Sequence, residues 1–167
     1  GINTDNLIQD EKYFTTLAFV SLKENGEREF AFARKPGADT NLCMKEIDPE
    51  ILENTRVFHV GSLSLTDDPS RTATYEAINI ARNSGAVISY DPNYRAALWS
   101  DPETAQLRMQ SLIPYVDMMK ISDEETSLLT PYQDLSLIHI SEPTRHAQSG
   151  SAPGGSDARK RWRPDRQ

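Results

Sequence analysis
The chain has 167 residues, enough for one domain with a tail, and its 37% hydrophobic content supports a modest core. A net charge of -7 opposes nucleic acid as a partner, because phosphates need cations to neutralise them. The single cysteine, Cys43, excludes an intramolecular disulfide and a multi-thiolate metal site and fits a reducing cytoplasm; no apolar run reaches the length of a membrane span.

Charge is unevenly spread. Residues 1–134 carry 12 Lys and Arg against 22 Asp and Glu, whereas 135–167 carry 6 against 3. The opening Gly1-Ile2-Asn3 has neither a signal-peptide pattern nor an initiator Met, so the expectation is that the native start lies upstream.

Taken in order, Thr15 to Leu22 and Arg28 to Arg34 are β-branched, aromatic or apolar runs separated by Asn25-Gly26. That dipeptide predicts a hairpin of about residues 15–34 closed by a type I′ turn, whose two central residues need positive φ. Alternation puts Phe30, Phe32 and Arg34 on one face of the second strand, either packing a core or facing a ligand. Asp48-Pro49 predicts a short capped helix. Val57 to Val60 reads as a buried strand, and Asp68-Pro69 as the start of a helix with the stripe Ala73, Ala77, Ile80 and Ala81, stopped by Asn83-Ser84-Gly85.

Ala86 to Tyr90 is the next strand. Asp101-Pro102 opens a helix with Ala105, Leu107, Met109, Leu112 and Ile113 as its apolar residues. Tyr115 to Ile121 reads as a third strand, and Ser122 opens a helix through Leu129. Repeated βα units over 56–130 predict an α/β fold, a parallel sheet wound with helices. Ligands in such sheets gather outside the carboxyl ends of the strands. That rule directs attention to Gly61-Ser62, to Asp91 through Arg95, and to Ser122 through Glu125.

In Asp91-Pro92-Asn93-Tyr94-Arg95 the proline makes a turn, and Asn93 and Arg95 place polar groups at a strand end. An arginine fork suits phosphate oxygens; the plainer reading is a surface arginine beside a turn. Ser122-Asp123-Glu124-Glu125 reads by itself as a helix cap with well-placed negative charge. The functional reading has Glu125 hold Mg²⁺ through water, since magnesium keeps its waters.

Several stretches in order resemble the ribokinase-like (PfkB) carbohydrate kinases, and within them the fructokinases. They are Thr15-Thr16-Leu17-Ala18-Phe19-Val20, Asn25-Gly26-Glu27-Arg28, Phe32-Ala33-Arg34-Lys35-Pro36-Gly37-Ala38-Asp39, His59-Val60-Gly61-Ser62-Leu63-Ser64-Leu65, Asp91 to Arg95 with Leu98-Trp99, and Lys120-Ile121-Ser122-Asp123-Glu124-Glu125. Each is weak alone, and their ordered coincidence over nearly all of 1–130 is specific. The resemblance implies a partial ribokinase-like fold with a β-hairpin lid and an ATP- and Mg²⁺-dependent parent that phosphorylates fructose or a similar ketose. It implies that Phe32 and Arg34 face the sugar, that Asn93 and Arg95 contact sugar or phosphate, and that Glu125 serves the metal. There Ser122 stands where the family's Asn-x-x-Glu element has Asn. A homodimer formed through the lid of the parent is a further expectation. Alternatives are a 2-keto-3-deoxygluconate kinase, whose substrate carboxylate would pair with Arg34, and a non-catalytic sugar-binding or dimerising module.

The family takes the hydroxyl proton with an aspartate in a Gly-Ala-Gly-Asp stretch, and residues 126–167 contain none. The chain by itself is therefore expected to be inactive. Leu135 to Arg145 instead resembles the translation of a transposase-based sequencing adapter, eleven codons in frame. Residues 135–167 are expected to be a non-native disordered tail, the alternative being a Gly/Ser linker with a basic, Trp-containing end that binds nucleic acid. His139 and His146 lack a third ligand at metal-binding spacing.

Overall fold
In the computed structural model, which describes residues 1–130, the first paired elements are β1 (Leu17–Leu22) and β2 (Arg28–Ala33). They form an antiparallel hairpin in which Val20 faces Phe30 and Ala18 faces Phe32. The expected two-residue type I′ turn is not what closes it. Gly26 N donates to the Lys23 carbonyl and Lys23 N to the Glu27 carbonyl, both at 2.9 Å. Within the turn Gly26 has the positive φ, +84°, and Asn25 does not. Asn25 Oδ1 instead accepts from Glu27 N at 3.0 Å. This is a three-residue loop with glycine in the left-handed position, the other common way to join twisted strands.

Two short helices follow, α1 (Ala38–Asn41) and α2 (Pro49–Asn54). As expected, Asp48 caps α2 by accepting from Glu50 N, with Pro49 in the first turn. A second, parallel sheet has the order β3 (Val57–Gly61), β4 (Val87–Asp91), β5 (Met118–Met119). The register pairs His59 with Ser89, Gly61 with Asp91 and Tyr90 with Met119.

Helix α3 (Ser70–Asn83) joins β3 to β4 and packs against both strands. It starts one residue later than the Asp68-Pro69 signal suggests, but Asp68 still accepts from Thr72 N. Its buried stripe is Ala73, Ala77, Ile78 and Ala81; Ile80 is only partly buried. Its end forms two reciprocal bonds, Gly85 N to Arg82 O and Ala86 N to Ala81 O, with Gly85 at φ +91°. Helix α4 (Pro102–Leu112) begins at Asp101, which accepts from Thr104 N at 2.7 Å. It buries Ala105, Met109 and Leu112, while Leu107 is 62% exposed and Ile113 belongs to the following 3-10 turn.

The third strand is shorter than Tyr115–Ile121. Ile113–Tyr115 wind into a 3-10 turn with Pro114 in its first positions, which removes Tyr115 from the sheet. Asp117 Oδ2 then takes the Ile88 amide at 2.8 Å, so a side chain replaces a ladder bond before β5 begins.

Ile88 and Tyr90 on β4 are fully buried, and Ala81, Ala86 and Ile88 pack with Phe58 and Val116. Each such large side chain contributes about 1.5–3 kcal/mol by leaving water. Residues 1–121 form one unit and a second begins at Ser122, where α5 (Asp123–Leu129) opens. Among the described residues no helix is long and apolar enough to cross a membrane. The tail expected at 135–167, with His139 and His146, lies outside the described residues.

Candidate functional site
The parallel register brings Gly61 at the end of β3 beside Asp91 at the end of β4. Beyond them Ser62 N donates to the Pro92 carbonyl at 3.2 Å, which ties the two turns together. Proline has no amide to give and a fixed φ, so Pro92 ends the strand cleanly. Asn93 then adopts φ 43°, a left-handed conformation that asparagine tolerates better than most residues. A cavity of ≈ 340 Å³ lies at these strand ends, lined by Asp39, His59, Gly61, Ser62, Leu63, Ser64, Asp91 and Asn93.

Its chemistry is polar and acidic. Asp91 accepts from Lys120 Nζ at 2.8 Å, though the lysine side chain is 83% exposed, so solvent screens the pair. His59 Nδ1 lies 3.0 Å from Ser89 Oγ. Ser62 Oγ is buried without a hydrogen-bond partner, a state that costs free energy where water is excluded.

Arg95 caps a 3-10 turn at Ala96–Leu98 and donates through one terminal nitrogen to the Tyr94 carbonyl at 2.9 Å. Its guanidinium sits 5.5 Å from the centre of the Phe30 ring, which stacks on Phe32 at 6.1 Å and 9°. The aromatic face of the hairpin and the turn after β4 therefore meet through a cation–π contact.

Arg34 goes elsewhere. Just past the end of β2 its side chain is 3% exposed, and its nitrogens reach Asp39 Oδ2 (Nε 2.8 Å, Nη2 2.6 Å), Thr66 Oγ1 (Nη1 2.8 Å) and the Leu63 carbonyl (Nη2 2.7 Å). Asp39 Oδ1 accepts from Thr16 Oγ1 at 2.6 Å. Burial pulls the Asp39 carboxyl upward, but the bonds from Arg34 and Thr16 and the Arg34 charge outweigh it, and its pKa lies below the usual value.

In the unit that begins at Ser122, Glu125 closes a capping box. Its Oε2 accepts from Ser122 N at 2.9 Å and Ser122 Oγ at 2.8 Å, and Glu125 itself is buried. Among the described residues no group of three His, Cys, Asp or Glu stands close enough to hold a metal ion.

Thus Asn93 lines the cavity, Arg95 and Phe32 belong to one aromatic–cationic cluster, Arg34 is engaged at the hairpin's base, and Glu125 caps α5. The sequence signals pointed to Gly61, Ser62 and Asp91 by the strand-end rule. Asp39, His59 and Ser64 lay inside the family-like stretches, but no role at the site was expected of them. The local sequence sign of Asp39 was an arginine five residues before it, whose burial only the structure shows.

The pfkB family carbohydrate kinase model matches residues 1–148, and so runs past the boundary expected after Asp134. Probable fructokinase-3 of Arabidopsis thaliana is 42% identical over 130 residues, which cover 78% of this chain and 38% of that protein. The crystal structure of fructokinase from Xylella fastidiosa superposes with a TM-score of 0.69 at 33% identity, over 75% of this chain and 40% of that one. Fructokinase from Vibrio cholerae O395 in its fructose, ADP and calcium ion bound form gives 0.71 at 32% identity, over 82% and 44%. The chain thus spans about two fifths of the length of the relatives it matches. The family model, matching well over half of the chain, shows with these relatives that the chain belongs to the pfkB family of carbohydrate kinases.

Proposed function
We propose that the complete enzyme transfers the γ-phosphate of ATP to a hydroxyl of fructose or a similar ketose, and that this chain supplies its lid hairpin and part of its sugar-side wall. The observation that carries the reading is the Arg95 guanidinium, set over Phe30 beside the turn that borders the strand-end cavity. A cation at that position suits a phosphate being transferred, and the Phe30–Phe32 face suits the apolar side of a sugar ring. Closure of the hairpin would exclude water and strengthen those electrostatic contacts.

Phe32, Asn93 and Arg95 are the proposed substrate residues. Arg34, also expected there, would pair with the carboxylate of 2-keto-3-deoxygluconate. Its engagement by Asp39, Thr66 and Leu63 weighs against that acid and toward a neutral sugar. For Mg²⁺, Glu125 fits at most a contact through water: it is one carboxylate, with Oε2 already in the capping box. Leu17 and Phe19, exposed on the hairpin face opposite Phe30 and Phe32, suit the proposed lid-mediated dimer. A reducing cytoplasm is proposed on the lone thiol.

Because residues 126–167 contain no Gly-Ala-Gly-Asp stretch, the 167-residue chain is proposed to have no kinase activity. Residues 135–167 are proposed to be foreign to the encoded enzyme; an independent genomic read continuing through the same codons would overturn that. The test of function is phosphorylation of fructose and of 2-keto-3-deoxygluconate with ATP and magnesium, by the chain and by the complete enzyme. The reading requires turnover of fructose by the complete enzyme and none by the chain. Sugar-dependent stabilisation without turnover in the complete enzyme would support a binding module instead.

A further inference from the structure
The hairpin leaves the sheet unit through two legs, Thr16 before β1 and Arg34 after β2, and one carboxylate holds both. Asp39 Oδ1 takes the Thr16 hydroxyl at 2.6 Å, and Oδ2 takes Arg34 Nε and Nη2 at 2.8 and 2.6 Å. From there Arg34 crosses to the 3-10 turn Leu63–Leu65 that follows β3, bonding the Leu63 carbonyl and Thr66 Oγ1. Thr66 Oγ1 in turn donates to the same Leu63 carbonyl at 2.9 Å, which fixes the acceptor pair. Two further features hold Asp39 against the legs. Ala38 N donates to the Phe14 carbonyl at 2.9 Å. Gly37 is packed so that a Cβ there would stand 2.6 Å from Thr16 Oγ1 and 2.7 Å from Asp39 Oδ1.

We propose that Arg34 and Asp39 are a positioning pair, a clamp that fixes the base of the hairpin to the turn at the carboxyl end of β3, so that the hairpin's aromatic face is held at a set distance from the strand-end cavity. Arg34 then acts through Asp39, Thr66 and Leu63 and not through a sugar contact. Two nitrogens of the buried Arg34 fork converge on the single oxygen Asp39 Oδ2, leaving Oδ1 for Thr16, and such a charge-assisted contact is directional as well as attractive, which a hinge requires. Asp39 also lines the cavity, so the clamp borders the space in which a substrate would lie. The role given to the hairpin rests on the lid reading above, whereas the clamp does not.

The experiment is amide exchange on the full 167-residue chain with Asp39→Asn, Thr66→Val and Arg34→Lys, comparing amides of 17–33 with those of 57–61 and 87–91. Asp39→Asn is expected to speed exchange in the hairpin by roughly tenfold, the loss of one charge-assisted contact, and to leave β3 and β4 unchanged. Arg34→Lys, which keeps the charge and loses the fork, should give a smaller acceleration. Equal acceleration in hairpin and sheet, or none in the hairpin, overturns the clamp. If Asp39→Asn does not fold, Thr66→Val decides by the same comparison, since it removes one neutral partner and leaves both charges. In the complete enzyme Thr66→Val should raise the sugar KM severalfold with kcat unchanged. Faster hairpin exchange with an unchanged KM keeps the clamp and removes the lid; unchanged exchange removes the clamp whatever KM does.

Discussion

Arg95 is the residue at which the proposed chemistry is most exposed to test, because the structure separates two contributions that one substitution would merge. Its cation–π contact with Phe30 has a ring distance of 5.5 Å, and Phe30 is 36% exposed, so the contact falls toward the weaker end, about 0.5–1 kcal/mol. A charge-assisted bond to a transferring phosphoryl group would add about 1.5–3 kcal/mol. Phe30→Leu removes the cation–π contact, the stack on Phe32 and part of the proposed sugar face while leaving the guanidinium in place, and should lower kcat/KM at least about 2–5-fold in the complete enzyme, mainly through KM. Arg95→Ala removes both the cation–π contact and the phosphoryl bond and should lower kcat/KM roughly 30–900-fold, with most of the loss in kcat. Initial rates of ADP release against fructose, at saturating ATP and magnesium, measure both variants. Equal losses in the two variants would reduce Arg95 to a lid contact. An unchanged kcat/KM in Arg95→Ala would remove it from the site.

Three further outcomes follow from particular contacts. Met109→Ala should cost about 2–5 kcal/mol because Met109 is fully buried, whereas exposed Leu107→Ala should stay within about 0.5 kcal/mol; urea denaturation of the chain compares them, and equal effects would refute the assigned face of α4. Asp39 has a folded pKa below its unfolded one, so its stabilisation is complete above about pH 4 and is lost as pH falls through the folded value; hairpin protection factors should be flat from neutral pH down to about pH 4 and then drop, and a rise on acidification would contradict the pairing. Cys43 Sγ donates to Glu46 Oε2 at 2.9 Å, and that carboxylate, with burial secondary, raises the thiol pKa. Alkylation by iodoacetamide should therefore be slow at neutral pH and faster in Glu46→Gln; an equal rate in the two proteins would count against the bond.

The elements most legible in the sequence were those fixed by local chemistry. Asp48-Pro49 and Asp101-Pro102 opened helices because a carboxylate and a proline both suit a first turn. Asn83-Ser84-Gly85 closed α3 because a glycine can take the left-handed position that its two closing bonds require. Less legible was anything decided by packing. Along α3, Ile78 and Ile80 flank the line of Ala73, Ala77 and Ala81 on opposite sides, and the packing of the helix over β3 and β4 buries Ile78. On α4, the same ambiguity hid the exposure of Leu107. The third strand was overread because Tyr115 to Ile121 is apolar enough for a strand, yet Pro114 and the Asp117 side chain had already committed its first residues elsewhere.

The fate of Arg34 shows where strand alternation stops carrying information about a site. Counting by twos along β2 places Arg34 on the face of Phe30 and Phe32, and that count holds for the two rings, which stack. The strand ends at Ala33, and one residue later the backbone no longer enforces the alternation. From that point a buried cation goes where acceptors are, because an unpaired charge out of water costs far more than a changed direction. The acceptors here are one residue five positions ahead and two lying 29 and 32 positions away, so only the first was within reach of a local reading. Arg95, by contrast, sits on a turn whose path is set by Pro92 and the left-handed Asn93, immediately after a strand with fixed register. A residue rigidly placed by its own neighbours in sequence keeps the position those neighbours imply. A residue one step past the end of a ladder takes its position from the tertiary structure, and its role has to be read there.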